Sequence, residues 1–242
     1  MSGFLQLGVL GVFGDAVDFI FNQQEARTGQ TLVGGPDQVW GLTREHLEVT
    51  FLALAVSAAI ALPLGVALGH FRRGEGVAIS IGNAGRAVPE LALIAFVAAF
   101  IGVGLLNVTI ALAVLGIPPI LTNSYVGVSQ VDRDAVEAAR GMGMRGLQVI
   151  ARVELPLAVP TIMAGVRTAA INIIATATLA SLAGLSTLGD LILGRNVYGD
   201  AGVVAGAIVI ALLALALELG LAGLQWMLTP RGVKLARAGA AA

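Results

Sequence analysis

The sequence contains no cysteine. Disulfides, thiolate metal sites and cysteine nucleophiles are therefore excluded. Charge is scarce as well. Only 12% of the 242 residues are Asp, Glu, Lys or Arg, against about 25% in a typical soluble domain. A surface with so little charge is hard to keep in water and is expected where lipid covers it. Lysine occurs once, at Lys234, and Leu235 follows it. A phosphate-binding loop ends its glycine-rich turn in Lys-Ser or Lys-Thr, so the chain carries no such loop. The two histidines, His46 and His70, are too far apart for an HExxH pair, and there is no GxSxG elbow, which disfavours a membrane-embedded enzyme. No Lys or Arg precedes Arg27. The N-terminus thus lacks the basic stretch of a cleaved signal peptide, and the spans themselves are expected to direct membrane insertion.

What the chain does contain is 57% hydrophobic residues and 32 glycines, a composition suited to helices packed closely through small side chains. A formal net charge of −1 gives no reason to expect a nucleic-acid partner. A spanning helix needs about 20 mostly apolar residues. Five stretches meet this: 46–69, 77–104, 105–124, 155–184 and 201–228. The second is interrupted by Arg86, Pro89 and Glu90, which predicts a kink. The third is expected to end near Pro118-Pro119. The fourth opens with Pro156 and Pro160 and holds Arg167, and the fifth has Glu218 as its one charge. Residues 4–21 are apolar but short and include Asp15 and Asp18, which reads as an interfacial or peripheral helix, with a sixth span as the alternative. Residues 22–41 and 185–200 read as loops from their Gly, Gln and Pro content.

The predicted fold class is therefore all-α, a polytopic transmembrane bundle of about five core spans. An N-terminal extracytoplasmic or interfacial segment covers 1–45, the membrane domain 46–229, and a tail 230–242. Segments 70–76, 125–154 and the tail share one side of the membrane. They hold Arg72, Arg73, Arg133, Arg140, Arg145, Arg152, Arg231, Lys234 and Arg237, against Arg27, Arg44 and Arg195 on the other. The positive-inside rule places the 125–154 loop and the C-terminus in the cytoplasm and the N-terminus outside. Gly65/Gly69 and Gly202/Gly206 have the spacing of close helix contacts, although so glycine-rich a chain also produces such pairs by chance.

Within the long polar segment, Val131, Ala135, Ala138/Ala139 and Met142 fall on one helical stripe. Asp132 and Asp134 begin this helix and Arg140 lies near its end, as the helix dipole favours. Gly141 and Gly143 interrupt it, and a second amphipathic piece over 145–153 leads to Leu155-Pro156. A helix presenting small side chains suits insertion into a partner's groove, and it equally suits an ordinary solvated loop.

The spacing of these residues resembles a known family. Permease subunits of ATP-binding-cassette (ABC) importers carry Glu-Ala-Ala, three residues, Gly, nine residues, an aliphatic residue, one residue and Leu-Pro. Here the series is Glu137-Ala138-Ala139, Gly143, Val153 and Leu155-Pro156. By that resemblance the helix around 137–142 is a coupling helix that inserts into a cleft of a separate ATPase. Glu137 caps or ion-pairs there, Ala138 and Ala139 allow close approach, and Gly143 makes the turn. Further segments, among them His46-Leu47, Pro89-Glu90-Leu91, Thr122-Asn123-Ser124-Tyr125, Gly165-Val166-Arg167 and Leu188-Gly189-Asp190, resemble the osmoprotectant branch, whose cargoes are glycine betaine, carnitine and choline. The similarity covers roughly residues 44–232. It implies a bacterial inner-membrane subunit without a cofactor of its own, ATP and Mg being held by a partner ATPase dimer. A second permease protomer and an extracytoplasmic binding protein complete the expected assembly. The competing cargoes are an amino acid, methionine or an oxyanion. An ATP-independent transporter would not need the coupling pattern.

Ionisable residues inside a membrane are functional candidates. Arg86 and Glu90 are four residues apart and are expected to pair on one helix face. Arg167 either lines the path or pairs across helices with Glu218. Asn172, Thr176 and Thr178 recur on the same span and are candidates for a polar path or for interhelical hydrogen bonds. No clustered aromatic box for a quaternary ammonium is visible, so selectivity is expected to reside in the binding protein.

Overall fold

A computed structural model describes the backbone of residues 2–29 and 31–240, and the side chains of 11–29, 31–76, 78–83, 85 and 87–235. Helix α1 is Ser2–Phe21. Strands β1 (Gln23–Glu25) and β2 (Leu32–Gly34) form an antiparallel hairpin in which Gln24 faces Val33. Helix α2 then runs from Gly35 to His70. The expected loop over 22–41 is corrected here, and residues 35–45 belong to α2. Pro36 lies at the helix start, where its missing N–H would have had no intrahelical partner anyway, and Asp37 sits in the first turn. Gln and Gly made this region look irregular, yet Gly-Pro-Asp is a helix-start signal.

The stretch expected as one kinked span is two helices, α3 (Glu75–Ala87) and α4 (Glu90–Ile101). Val88 between them is extended, at φ −78° and ψ 123°, because the residue before a proline is pushed out of the helical region. The spacing of Arg86 and Glu90 therefore no longer implies a shared face. Arg86's side chain lies outside the described residues. Helix α5 (Leu105–Ser129) passes through Pro118 and Pro119 instead of ending there, as helices do where neighbours can compensate the lost hydrogen bonds.

Helix α6 (Arg133–Gly141) and α7 (Gly146–Val149) follow. A π-helical turn, Ile150–Glu154, joins α7 to α8 (Leu155–Thr176), and a 3₁₀ segment, Ala177–Ala183, continues from α8. Because α8 ends at Thr176, Thr178 does not continue its helical periodicity. The expected loop over 185–200 instead contains α9 (Gly189–Leu193) and the start of α10 (Arg195–Leu228), which is kinked at Gly199 with φ 68°. The tail forms α11 (Arg231–Ala240). Among the described residues, four helical runs are long and apolar enough to cross a membrane: Gly35–His70, Leu105–Ser129, Gly146–Ala183 and Arg195–Leu228.

The chain divides into two compact units. One comprises Met1–Leu52, Glu90–Leu112 and Ile173–Ala216. Its core joins Ala16 and Phe19 of α1 to Val33, Val39, Leu188, Leu191 and Ala205. Phe19 meets Tyr198 edge-on at 6.3 Å, and the buried His46 Nε2 donates to the Ile174 carbonyl at 2.9 Å.

The other unit comprises Ala53–Pro89, Ala113–Asn172 and Leu217–Ala242. In this unit α2, α5 and α8 approach through glycines. A Cβ at Gly65 would lie 2.6 Å from Ser124 Cβ, one at Gly69 2.8 Å from Val128 Cβ, and one at Gly165 2.6 Å from Asn123 Cβ. Each is too close to tolerate a side chain, so the Gly65/Gly69 pair is a packing element.

Candidate functional site: the loop between α5 and α8

Helix α6 is capped at both ends by its own sequence. Asp132 Oδ1 accepts from the Asp134 amide at 2.9 Å, a side-chain N-cap. At the other end the Gly143 amide donates to the Arg140 carbonyl at 2.9 Å, and the Met144 amide donates to the Ala139 carbonyl at 3.1 Å. With Gly143 at φ 85°, this is a Schellman C-cap. A Cβ at Gly143 would touch nothing, so glycine is required there by conformation and not by crowding within the chain.

The helix has two unlike faces. Val136 and Ala139 are buried with Val128, Val131, Val149, Ala158 and Ile162, and Val153 and Leu155 pack against that cluster. Glu137, Ala138 and Arg140 face outward. Beyond the cap, Met142 and Leu147 are 73% and 81% exposed. The Glu-Ala-Ala run is therefore split by helix geometry: Ala139 seats the helix on its own protein, while Glu137 and Ala138 remain available. Pro156, partly buried, stands just after the π turn, where the Leu155 amide donates to the Ile150 carbonyl. A proline there removes one hydrogen bond from the ladder, and a π turn is one way a helix adjusts locally.

Under this loop His70 Nδ1 and Glu154 Oε2 are 2.7 Å apart, with both side chains buried. Arg72, whose φ is 48°, donates to the Val131 carbonyl at 2.9 Å. A cavity of about 370 Å³ opens here, lined by His70, Arg72, Arg133, Glu137, Arg140 and Glu154 among others. Sequence reasoning missed His70 and Glu154 because they lie 84 residues apart. Only Glu154's place beside Leu155-Pro156 could have drawn attention to it.

The other candidates separate. Arg167 is hydrogen-bonded to Glu218, and its Nη1 donates to Gln225 Oε1 at 3.1 Å. Of the two readings weighed for Arg167, the geometry forms the cross-helix pair. Asn172 is exposed and lines a second cavity. Thr176 is buried, and Thr178 donates back to the Ala175 carbonyl at 2.8 Å. Glu90 is exposed at the first position of α4, where the helix dipole favours a carboxylate.

Comparison with known proteins places these features in a family. Residues 60–231 match the family described as binding-protein-dependent transport system inner membrane component. The carnitine transport permease protein OpuCB of Listeria monocytogenes is 40% identical over 198 residues, covering 81% of this chain and 91% of the relative. The glycine betaine/carnitine/choline transport system permease protein OpuCB of Bacillus subtilis is 39% identical over 193 residues, covering 79% and 89%. Among solved structures, the inward-facing MetNI methionine ABC transporter superposes with a TM-score of 0.69 at 21% identity, over 80% of this chain and 97% of that one, a likeness of fold. The chain belongs to the binding-protein-dependent transport system inner membrane components, as a multi-pass permease subunit of an ABC importer.

Proposed function

We propose that this permease carries a quaternary-ammonium osmoprotectant such as glycine betaine, carnitine or choline, and that an ATPase docks on the loop between α5 and α8. The observation that carries the docking assignment is the outward face of α6. Glu137, Ala138 and Arg140 are exposed, and the glycine C-cap ends the helix abruptly beside exposed Met142 and Leu147. Small and apolar groups beside charges of both signs suit a partner's cleft. The nature of the relatives' cargoes supports the substrate reading.

The charge asymmetry supports a cytoplasmic position for this loop and for the C-terminus. ATP and Mg are held by the separate ATPase. The full assembly holds two permease protomers, two ATPases and a binding protein on the opposite side. Force applied to α6 reaches α8 through the continuous α7 and π segment. It reaches α2 through the His70–Glu154 contact and the valine-rich cluster beneath the loop, so both helices move with it. Arg167 and Glu218 link α8 to α10 and are candidates for a gate that re-forms between states.

Glu137→Lys and Ala138→Trp test the docking assignment. Uptake of labelled glycine betaine is expected to fall to background in both, while insertion of the permease in the membrane is unchanged. Normal uptake in either variant defeats it.

A further inference from the structure

A cavity of about 200 Å³ lies among α3, α5 and α8, lined by Gly82, Gly85, Leu115, Pro118, Pro119, Thr122, Asn123, Thr168 and Asn172. Among the described residues it has no charged or aromatic lining side chain. Its shape depends on absent side chains. A Cβ at Gly82 would approach Thr122 Oγ1 to 2.6 Å, and one at Gly85 would collide with Pro118.

The polarity of this lining has a direction. The Thr122 hydroxyl donates its one hydrogen to the Ala78 carbonyl at 3.1 Å, and the Thr168 hydroxyl donates to the Ala164 carbonyl at 3.0 Å. Asn123 Nδ2 donates to the Pro119 carbonyl at 2.8 Å. A hydroxyl whose hydrogen is committed offers only lone pairs. Pro119 has no amide hydrogen, so the carbonyl of Leu115 one turn earlier, a residue that lines the cavity, loses its intrahelical donor. The hydroxyls of the cavity thus act as acceptors, and its free donors are the second N–H of Asn123 and the uncommitted amide of Asn172. Such a lining is electronegative, and among the described residues it carries no formal charge. It repels carboxylates weakly and favours a diffuse cation whose hydrogens sit on carbon, since polarised C–H groups interact weakly but favourably with oxygen acceptors.

We infer that this cavity is a transit site for the trimethylammonium end of the cargo. The inference deepens the osmoprotectant reading and rests on it. Neutral acceptors such as these hold such a group loosely, which a transit site requires if the cargo is to leave again. It also explains how a path can serve quaternary-ammonium solutes without an aromatic box. The carboxylate of a zwitterionic cargo finds no cationic partner in the cavity among the described residues.

The test places a carboxylate in the cavity with Asn172→Asp and, separately, Thr168→Asp. Initial uptake of labelled choline and of labelled glycine betaine is measured in the whole transporter, both solutes saturating and the membrane potential clamped. A new negative charge favours the cation over the zwitterion. The choline-to-betaine ratio is therefore expected to rise about tenfold over the unaltered transporter, equivalent to about 1.4 kcal/mol. A ratio cancels differences in how much variant reaches the membrane. It also cancels the binding protein's own preference. A ratio unchanged in both variants overturns the site while leaving the osmoprotectant reading intact. Failure of the unaltered transporter to take up any quaternary ammonium overturns that reading, and the site with it.

Discussion

Two polar regions of this chain hold their charged groups in opposite ways. Beneath the α5–α8 loop, His70 and Glu154 meet at 2.7 Å with side chains only 8% and 5% exposed. At the start of α10, Asp200 accepts from Arg195 at 2.6 Å and from Arg27 at 3.1 Å, with all three side chains open to solvent. Water and salt compete with the second arrangement and contribute almost nothing to the first. A buried pair is therefore costly to break from either side, whereas an exposed one can be lost quietly. The contrast separates a buried clamp beneath the α5–α8 loop from surface pairs open to solvent.

Breaking the buried pair should give the largest effect, and the order of the two single variants is informative. His70→Ala leaves a carboxylate buried without its partner and is expected to destabilise the permease by about 3–5 kcal/mol. Glu154→Ala orphans an imidazole N–H instead, at about 1–3 kcal/mol. Thermal unfolding of the detergent-solubilised transporter measures both. Equal and small losses would show that the pair is not a clamp.

Gly143→Ala probes the loop above that pair. A left-handed conformation costs an ordinary residue about 1–2 kcal/mol, which is expected to fray the end of α6 and lower uptake. Gly143→Asn should retain more activity, because asparagine tolerates this conformation. Identical uptake in the two variants would mean that bulk at the interface, not backbone geometry, sets the requirement for glycine.

The exposed pairs should yield the smallest effect. Asp200→Asn removes the charge that pairs with both Arg27 and Arg195, yet its melting temperature should match the unaltered protein at low and high salt. A clear, salt-dependent loss would erase the distinction between the two regions.

The most legible features were those that depend on neighbours in sequence. Apolar runs located the long helices, and Asp132, Arg140 and Gly143 marked the limits of α6. The spacing from Glu137 to Pro156 led to the family. The less legible features were decided by short-range conflicts or by distant contacts. Gly, Gln and Pro between Phe21 and Gly41 suggested a loop, where a hairpin and a helix start use the same residues. Pro118-Pro119 suggested an end to α5, but packing from α8, through Gly165 against the Pro119 carbonyl, holds the helix together past it. Pro89, by contrast, separates α3 from α4, and across that break the spacing of Arg86 and Glu90 no longer implies a shared face.

By itself the sequence determined that this chain is a helical membrane protein, which loop bears the permease-family pattern, and that the chain carries no phosphate-binding loop. The first and last follow from composition and motif content, and the second from a resemblance carried by neighbouring residues. The tertiary structure alone decided which half of the Glu-Ala-Ala run faces outward, that His70 closes on Glu154, and that Arg167 meets Glu218 and Gln225. It also decided that Thr122, Asn123, Thr168 and Asn172 share one cavity. The reason is that burial and hydrogen-bond direction depend on which helices pack together, and packing joins residues whose separation in sequence carries no periodic signal.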